Sequence, residues 1–242
     1  MKKYLKIFYL IVSLTFFISI SIYGISRNHN KDIFDNSILF SNTNIFLNDS
    51  IVNKLLTQIL DVKYMKGKDI LDLNMIETEF EKNPFIERAE VYWKFYDVLE
   101  VRIKEREPLY ILSKSKYYVD SNSCFFPIEK KIKKDLPVVL TKLSKVDLKS
   151  VTTFILQTSK DSFLKKELNK IHIENNQFRI GLKSYDFDII FGDLKRFKEK
   201  VRKLKVFCAF QKVQDSLVNY SLINLNYLNQ VIASKSLVYG NK

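Results

Sequence analysis

Between residues 73 and 108 the spacing of apolar positions changes period, and the change marks where one kind of element gives way to another. Leu73, Ile76 and Phe80 are spaced as on one face of a helix. Pro84 has no N–H and pushes Asn83 out of the α region, so that helix must end before it. The period then drops to two. Ala89, Val91 and Trp93 alternate with Arg88, Glu90 and Tyr92, and Leu99, Val101 and Ile103 alternate with Glu100, Arg102 and Lys104. Two strands, each with one apolar and one charged face, predict an antiparallel hairpin lying on a helix, with Trp93 among the core residues. Upstream, Ser37 to Phe46 suits a first strand. Asn48-Asp49-Ser50 caps a helix that carries Ile51, Val52, Leu55, Leu56 and Ile59. Gly67 separates this helix from the next, for which Asp72 or Asn74 is the cap. The order is strand, helix, helix, strand, strand, ending near Arg106.

After Pro108 the pattern is less regular. Tyr117-Tyr118-Val119, a polar turn over 120–123, and Cys124-Phe125-Phe126 predict a short hairpin. Leu136-Pro137-Val138-Val139 is a strand or an extended connector. Asp147 to Leu168 predicts one or two helices, with a break at Ser159-Lys160-Asp161. Phe178, Ile180 and Leu182 alternate with Arg179, Gly181 and Lys183, and Phe187, Ile189 and Phe191 form a second strand. Residues 193–212 carry the strongest helical stripe, Leu194, Phe197, Val201, Leu204 and Cys208. Lys195, Arg196, Lys198, Lys200, Arg202 and Lys203 are expected to face away from it. Leu222 to Tyr227 and Val231 to Leu237 read as two closing strands.

At the other end of the chain, Ile7 to Ser26 is a 20-residue run without a charge, and twelve of its residues are Ile, Leu, Val or Phe. As a helix it spans about 30 Å, the thickness of a bilayer's hydrocarbon. Lys2, Lys3 and Lys6 precede it, which favours a cytoplasmic N-terminus. A cleaved secretory signal is the rival reading, although such a signal has a shorter apolar core and ends at a small-residue site. Either way residues 27–242 are expected outside the cytoplasm, with 27–36 as a spacer.

Composition narrows the function classes. The chain of 242 residues has 46% hydrophobic residues, enough for a sizeable core, and a formal charge of +13. The basic residues are spread along the chain and interleave with Asp and Glu, which describes a solvated surface better than a nucleic-acid footprint. Two histidines, His29 and His172, have no ligand or nucleophile partner at useful spacing, and the five glycines are too scattered for a phosphate-binding loop. Glu77 and Glu79 lie two apart on a helix and point in different directions, while Glu105 suits a structural salt bridge. No catalytic residue, metal, cofactor or small-molecule substrate is indicated. Cys124 and Cys208 could pair in an oxidising compartment or remain two buried thiols.

Several short segments, taken in order, carry a family likeness. They are Gly67-Lys68-Asp69-Ile70-Leu71-Asp72-Leu73, Asn83-Pro84-Phe85-Ile86 with Ala89-Glu90-Val91, and Val101-Arg102-Ile103-Lys104-Glu105-Arg106-Glu107-Pro108. Tyr118-Val119-Asp120, Leu136-Pro137, Ile189-Ile190-Phe191-Gly192 and Ile223-Asn224-Leu225-Asn226-Tyr227 follow. With the anchor in front, the chain resembles the FtsQ/DivIB family of bacterial cell-division proteins. Ser123 stands where that family usually has Gly, Phe85 where it has Trp, and Asn224 and Asn226 where it has Asp and Arg.

The resemblance implies an α+β chain: a cytoplasmic tail 1–6, a transmembrane helix 7–26, the spacer 27–36, a POTRA domain 37–107 and a β domain 108–239. It implies a non-catalytic inner-membrane scaffold at the division site, acting through other division proteins. Small bitopic partners of the FtsB/FtsL type would add a strand to the open edge of the β domain. Carried over by position, Asn226, Tyr227, Val231 and Ile232 would lie on or beside that edge, and Arg196, on the basic helix, would meet an acidic group of the partner. Read without the resemblance, Tyr227, Val231 and Ile232 are inward positions of a hairpin. Two other outcomes follow from different premises: another POTRA-bearing envelope assembly protein, or a secreted basic binding protein if the N-terminal segment is removed.

Overall fold

The computed structural model describes residues 2–29, 36–63, 71–94, 98–140, 145–174, 177–213 and 220–235. The chain divides into two compact units, residues 1–106 and 107–242. The first opens with α1 (Lys2–His29), whose stretch Lys6–Tyr23 is long and apolar enough to cross a membrane and is wholly exposed. Thr15, Ser19 and Ser21 in that stretch turn their hydroxyls back to carbonyls three or four residues earlier, which satisfies these three polar groups within the helix, as an apolar medium requires.

β1 (Asn36–Phe40), α2 (Asp49–Lys63), α3 (Leu73–Glu81), β2 (Ile86–Lys94) and β3 (Val98–Glu105) follow in the expected order. Of the two caps open for α3, Asp72 is used and accepts from the Met75 N–H. Ile76 and Phe80 of α3 are buried with Ala89, Val91, Leu99, Val101 and Ile103, the apolar face read from the period-two pattern. Trp93 is half-buried. The turn between the two strands, residues 95–97, lies outside the described residues, as does Gly67. The sheet order is β1-β3-β2, with β1 parallel and β2 antiparallel to β3.

One carboxylate departs from expectation, and two others take roles that the sequence pattern does not announce. β1 ends at Phe40 and does not run to Phe46, because the backbone N–H groups of Ile45, Phe46 and Leu47 turn inward to Glu105 at 2.7, 3.1 and 2.6 Å. Glu105 is 0% exposed; its charge is held by three amides rather than by a salt bridge. Glu77 accepts from the Val91 N–H at 2.7 Å and Glu81 from the Ala89 N–H at 3.3 Å. Residues four apart on a helix rise about 6 Å and residues two apart on a strand about 6.6 Å, so α3 lays two acceptors in register along the outer margin of β2.

The second unit contains β4 (Tyr110–Leu112), β5 (Tyr117–Val119), β6 (Phe125–Pro127), β7 (Val138–Val139), α4 (Lys145–Thr158), α5 (Ser162–Glu167), β8 (Leu168–Glu174), β9 (Gln177–Leu182), β10 (Asp188–Gly192), α6 (Phe197–Val213), β11 (Tyr220–Asn224) and β12 (Ile232–Lys235). They form one mixed nine-stranded sheet in the order β12-β11-β10-β9-β8-β7-β4-β5-β6. β10 and β11 are parallel and joined through α6, whereas β11 and β12 are an antiparallel pair. Phe154 of α4 stacks on Phe178 with centroids 4.3 Å apart and meets Phe191 edge-on at 5.2 Å. This aromatic cluster holds the helices to the sheet.

The polar 120–123 turn works as read: Asp120 accepts from the Asn122 and Cys124 N–H groups. Ser123 has φ 64°, the left-handed region that favours glycine, which accounts for the residue usual there in the family. Its hydroxyl donates to Thr152 at 2.9 Å. The break at 159–161 is also present, with Asp161 capping α5. β4 and β8 have no counterpart in the sequence reading, which carried a helix to Leu168. β4 has only two buried positions, Tyr110 and Leu112, and in β8 a register shift between Leu168 and Lys170 breaks the alternation ahead of Ile171 and Ile173, so neither announces a strand. Cys124 is exposed and Cys208 buried, both free. Burial pushes the Cys208 thiol up to about 11.

Candidate partner-docking site

The margin of the large sheet at β12 is built from the loop before α6, from α6 itself and from the turn between β11 and β12. Gly192 ends β10 with φ 75°, and a side chain there would collide with the amide of Asn226. Arg196 follows with φ 53°. Neither residue can continue a helix, so α6 starts at Phe197 rather than at 193. Arg196 therefore precedes the helix instead of riding on it. Its guanidinium donates to the Asn226 carbonyl at 3.1 Å and lies 3.5 Å from Glu199.

Two of the basic residues expected to face away turn inward. Lys200 is 1% exposed. Its ammonium donates to the carbonyl and the carboxylate of Asp193, both at 2.9 Å, and sits 5.4 Å from the Phe191 ring centre. Position 200 is one turn from both Phe197 and Leu204, so it borders the apolar stripe, and a long stem can run along it while the charged end finds the loop. The ammonium of Lys200 holds the Asp193 carboxyl below its usual range. Lys203 reaches the other way and donates to the carbonyls of Leu225 at 3.1 Å, Tyr227, and Leu228 at 3.4 Å. Asn226 N–H donates to Asn224 Oδ1 at 3.0 Å. Arg196 and Lys203 thus fasten the turn after β11 by its carbonyls, with Asn226 folded over Gly192.

Of the residues singled out from the sequence, Arg196 and Asn226 are brought into contact. Tyr227 and Ile232 are 45% and 39% exposed, against the inward reading of that hairpin, while Val231 is half-buried against the core. β11 is shorter than expected, ending at Asn224, which puts Asn226 and Tyr227 in the turn and Ile232 at the start of β12. Among the described residues β12 pairs with β11 alone, so one side of its backbone has no ladder partner. Beside it lies a groove of about 370 Å³ between α6 and residues 229–231, floored by Val206, Phe207, Phe210 and Val231. Lys203 and this groove were missed from sequence. The signal was present in Val206 and Phe210, apolar residues four apart on the polar side of α6.

The arrangement offers backbone groups and apolar surface. Among the described residues no group of three or more His, Cys, Asp and Glu is placed to hold a metal ion. The carboxylates Glu77, Glu79 and Glu105 are engaged with Val91, Lys82 and the 45–47 amides respectively.

No curated protein matches the chain. The family model described as FtsQ/DivIB, C-terminal related, matches residues 108–234, which is just over half of the sequence and spans β4 through most of β12. The large mixed sheet, the basic loop and helix beside its margin and the apolar N-terminal helix fit that match, and the chain belongs to the FtsQ/DivIB family of bacterial cell-division proteins.

Proposed function

We propose that the protein is a non-catalytic, single-pass membrane scaffold of the division machinery, needed for septum formation, which links division proteins by offering β12 to a visiting strand. In this reading residues 1–6 are cytoplasmic, 7–26 span the inner membrane, 27–36 are a spacer, 37–107 form a POTRA domain and 108–239 the β domain outside the cytoplasm. The partner is a small bitopic protein of the FtsB/FtsL kind. An edge strand exposes N–H and C=O groups that a partner strand can satisfy, and the side chains beside it choose among partners.

The observation that carries the reading is the unpaired side of β12, with Tyr227 and Ile232 exposed next to it. Arg196 and Asn226 support it indirectly. The guanidinium holds the Asn226 carbonyl and so fixes the turn that leads into the edge, and it remains exposed enough to meet an acidic group of the partner. Depletion in growing cells tests the role, and filaments that elongate without septa are expected. Photocrosslinkers placed one at a time along 231–235 test the surface. They should trap one small membrane protein; normal septation, or no product from any of these sites, overturns the proposal.

A further inference from the structure

A second cleft lies along α6 and meets the groove beside β12 at Arg202. It has a volume of about 500 Å³ and opens between the junction of α4 with α5 and the first turns of α6. Lys198, Arg202 and Lys205 line it at i, i+4 and i+7, one face of the helix over about 10 Å. Lys160 stands on the opposite wall. Lys205 is neutralised by Asp161 at 2.7 Å, but among the described residues Lys160, Lys198 and Arg202 have no acidic partner. The floor is apolar, formed by Phe197 and Val201. Gln157 contributes a buried side-chain oxygen that accepts no hydrogen bond.

We propose that this cleft binds an acidic segment of a partner protein, in which carboxylates bracket one apolar side chain. Three uncompensated cations around a recess disfavour a neutral or cationic occupant and attract an anionic one from a distance. The Phe197–Val201 floor rewards an apolar group that a bare inorganic anion does not have. Gln157 adds an amide side chain to the wall, a group that can both donate to and accept from a peptide backbone. Together these features describe a short stretch of polypeptide. The site shares Arg202 with the groove beside β12 but takes a different chemistry from the edge strand, side-chain charge in place of backbone pairing.

The test uses the full chain in nanodiscs of zwitterionic lipid, panned against random dodecapeptides. Enriched sequences should carry two carboxylates flanking an apolar residue. A fluorescent copy of the most enriched peptide should bind at least tenfold more weakly between 50 and 300 mM salt, and at least tenfold more weakly to Lys198→Glu/Arg202→Glu. Lys160→Glu, on the opposite wall, should repeat the loss, so a folding defect in the double variant does not decide the matter. Lys149→Glu on the exposed side of α4 and Ile232→Lys on β12 should bind as wild type. Enrichment without acidic residues, equal binding of a scrambled peptide, or undiminished binding to both charge-reversed proteins overturns the proposal. So does retention on phosphatidylglycerol vesicles that depends on these lysines while no peptide is enriched.

Discussion

The two sheets of this protein treat their outer strands in opposite ways. In the first unit β2 is an edge, yet α3 lies beside it and spends Glu77 and Glu81 on the N–H groups of Val91 and Ala89. In the second unit β12 is an edge, and the side chains near it bind the turn behind it, leaving the strand's own outer side without a partner among the described residues. A strand edge is a hazard that proteins normally block. β1 and β6 are outer strands too, but β12 is the one flanked by an apolar groove and by the exposed Tyr227 and Ile232, and the contrast with the blocked β2 marks it as a place to look for a docking role.

The largest expected effect is on the free margin. Tyr227→Lys combined with Ile232→Lys should reduce recovery of a small coiled-coil membrane partner about 100-fold, equivalent to about 3 kcal/mol. The fold should lose no more than about 0.5 kcal/mol, since both side chains are exposed. Pull-down together with a thermal melt reads the two quantities, and undiminished recovery means the wrong strand has been chosen.

Opening the blocked margin comes next. Glu77→Ala/Glu81→Ala strips two acceptors from β2 and should cost about 2 kcal/mol in denaturant unfolding, with concentration-dependent self-association in sedimentation. If neither changes, the carboxylates are not what keeps that edge quiet. Lys203→Met keeps the stem but removes the charge from three carbonyls. It should cost about 1–2 kcal/mol, speed amide exchange over 225–230 and loosen partner binding about tenfold. Normal exchange there would mean that the turn holds itself.

The smallest effect is on pH dependence. Asp193 is held below its ordinary 3.8 by the Lys200 ammonium, and Glu100 below its ordinary 4.5 by hydrogen bonds from Lys94 and Tyr92. A depressed folded value adds stability that is fully present above the ordinary value and is lost as pH falls through the folded one. Melting temperature should therefore be flat from pH 7 to about 5 and fall below about 4. Lys200→Met should flatten the Asp193 share of that fall, and a decline beginning near pH 6 would point to other groups.

Much of the first unit was legible because its signals are local. Pro84 stops a helix wherever it stands, Asp72 caps one, and nine residues of β2 alternate long enough to fix which face is buried. Glu105 was not legible, because its partners lie about 60 residues earlier and are backbone amides with no side-chain signature. The second unit was harder for a related reason. β4 and β7 are short central strands, and β8 is a longer central one that follows directly on a helix; all three are stabilised by neighbours that arrive from distant parts of the chain. In the candidate site, exposure of Tyr227 and Ile232 followed from the edge position, which periodicity does not encode. Lys200 and Lys203 looked like any solvated lysine on a basic helix; only the loops around α6 turn them into anchors for Asp193 and for the 225–228 carbonyls.

The order of strands has one more consequence. Among the described residues β12 is both the outermost strand at its end of the sheet and the last of the twelve strands in chain order. A ribosome therefore delivers the exposed ribbon only after every strand inward of it has been made. A chain truncated after Asn224 would show the side of β11 instead, with Asn224 and Ile223 in place of Ile232 and Ala233. Recognition of the genuine margin would then double as proofreading, enrolling chains that carry β12 and passing over those that lack it.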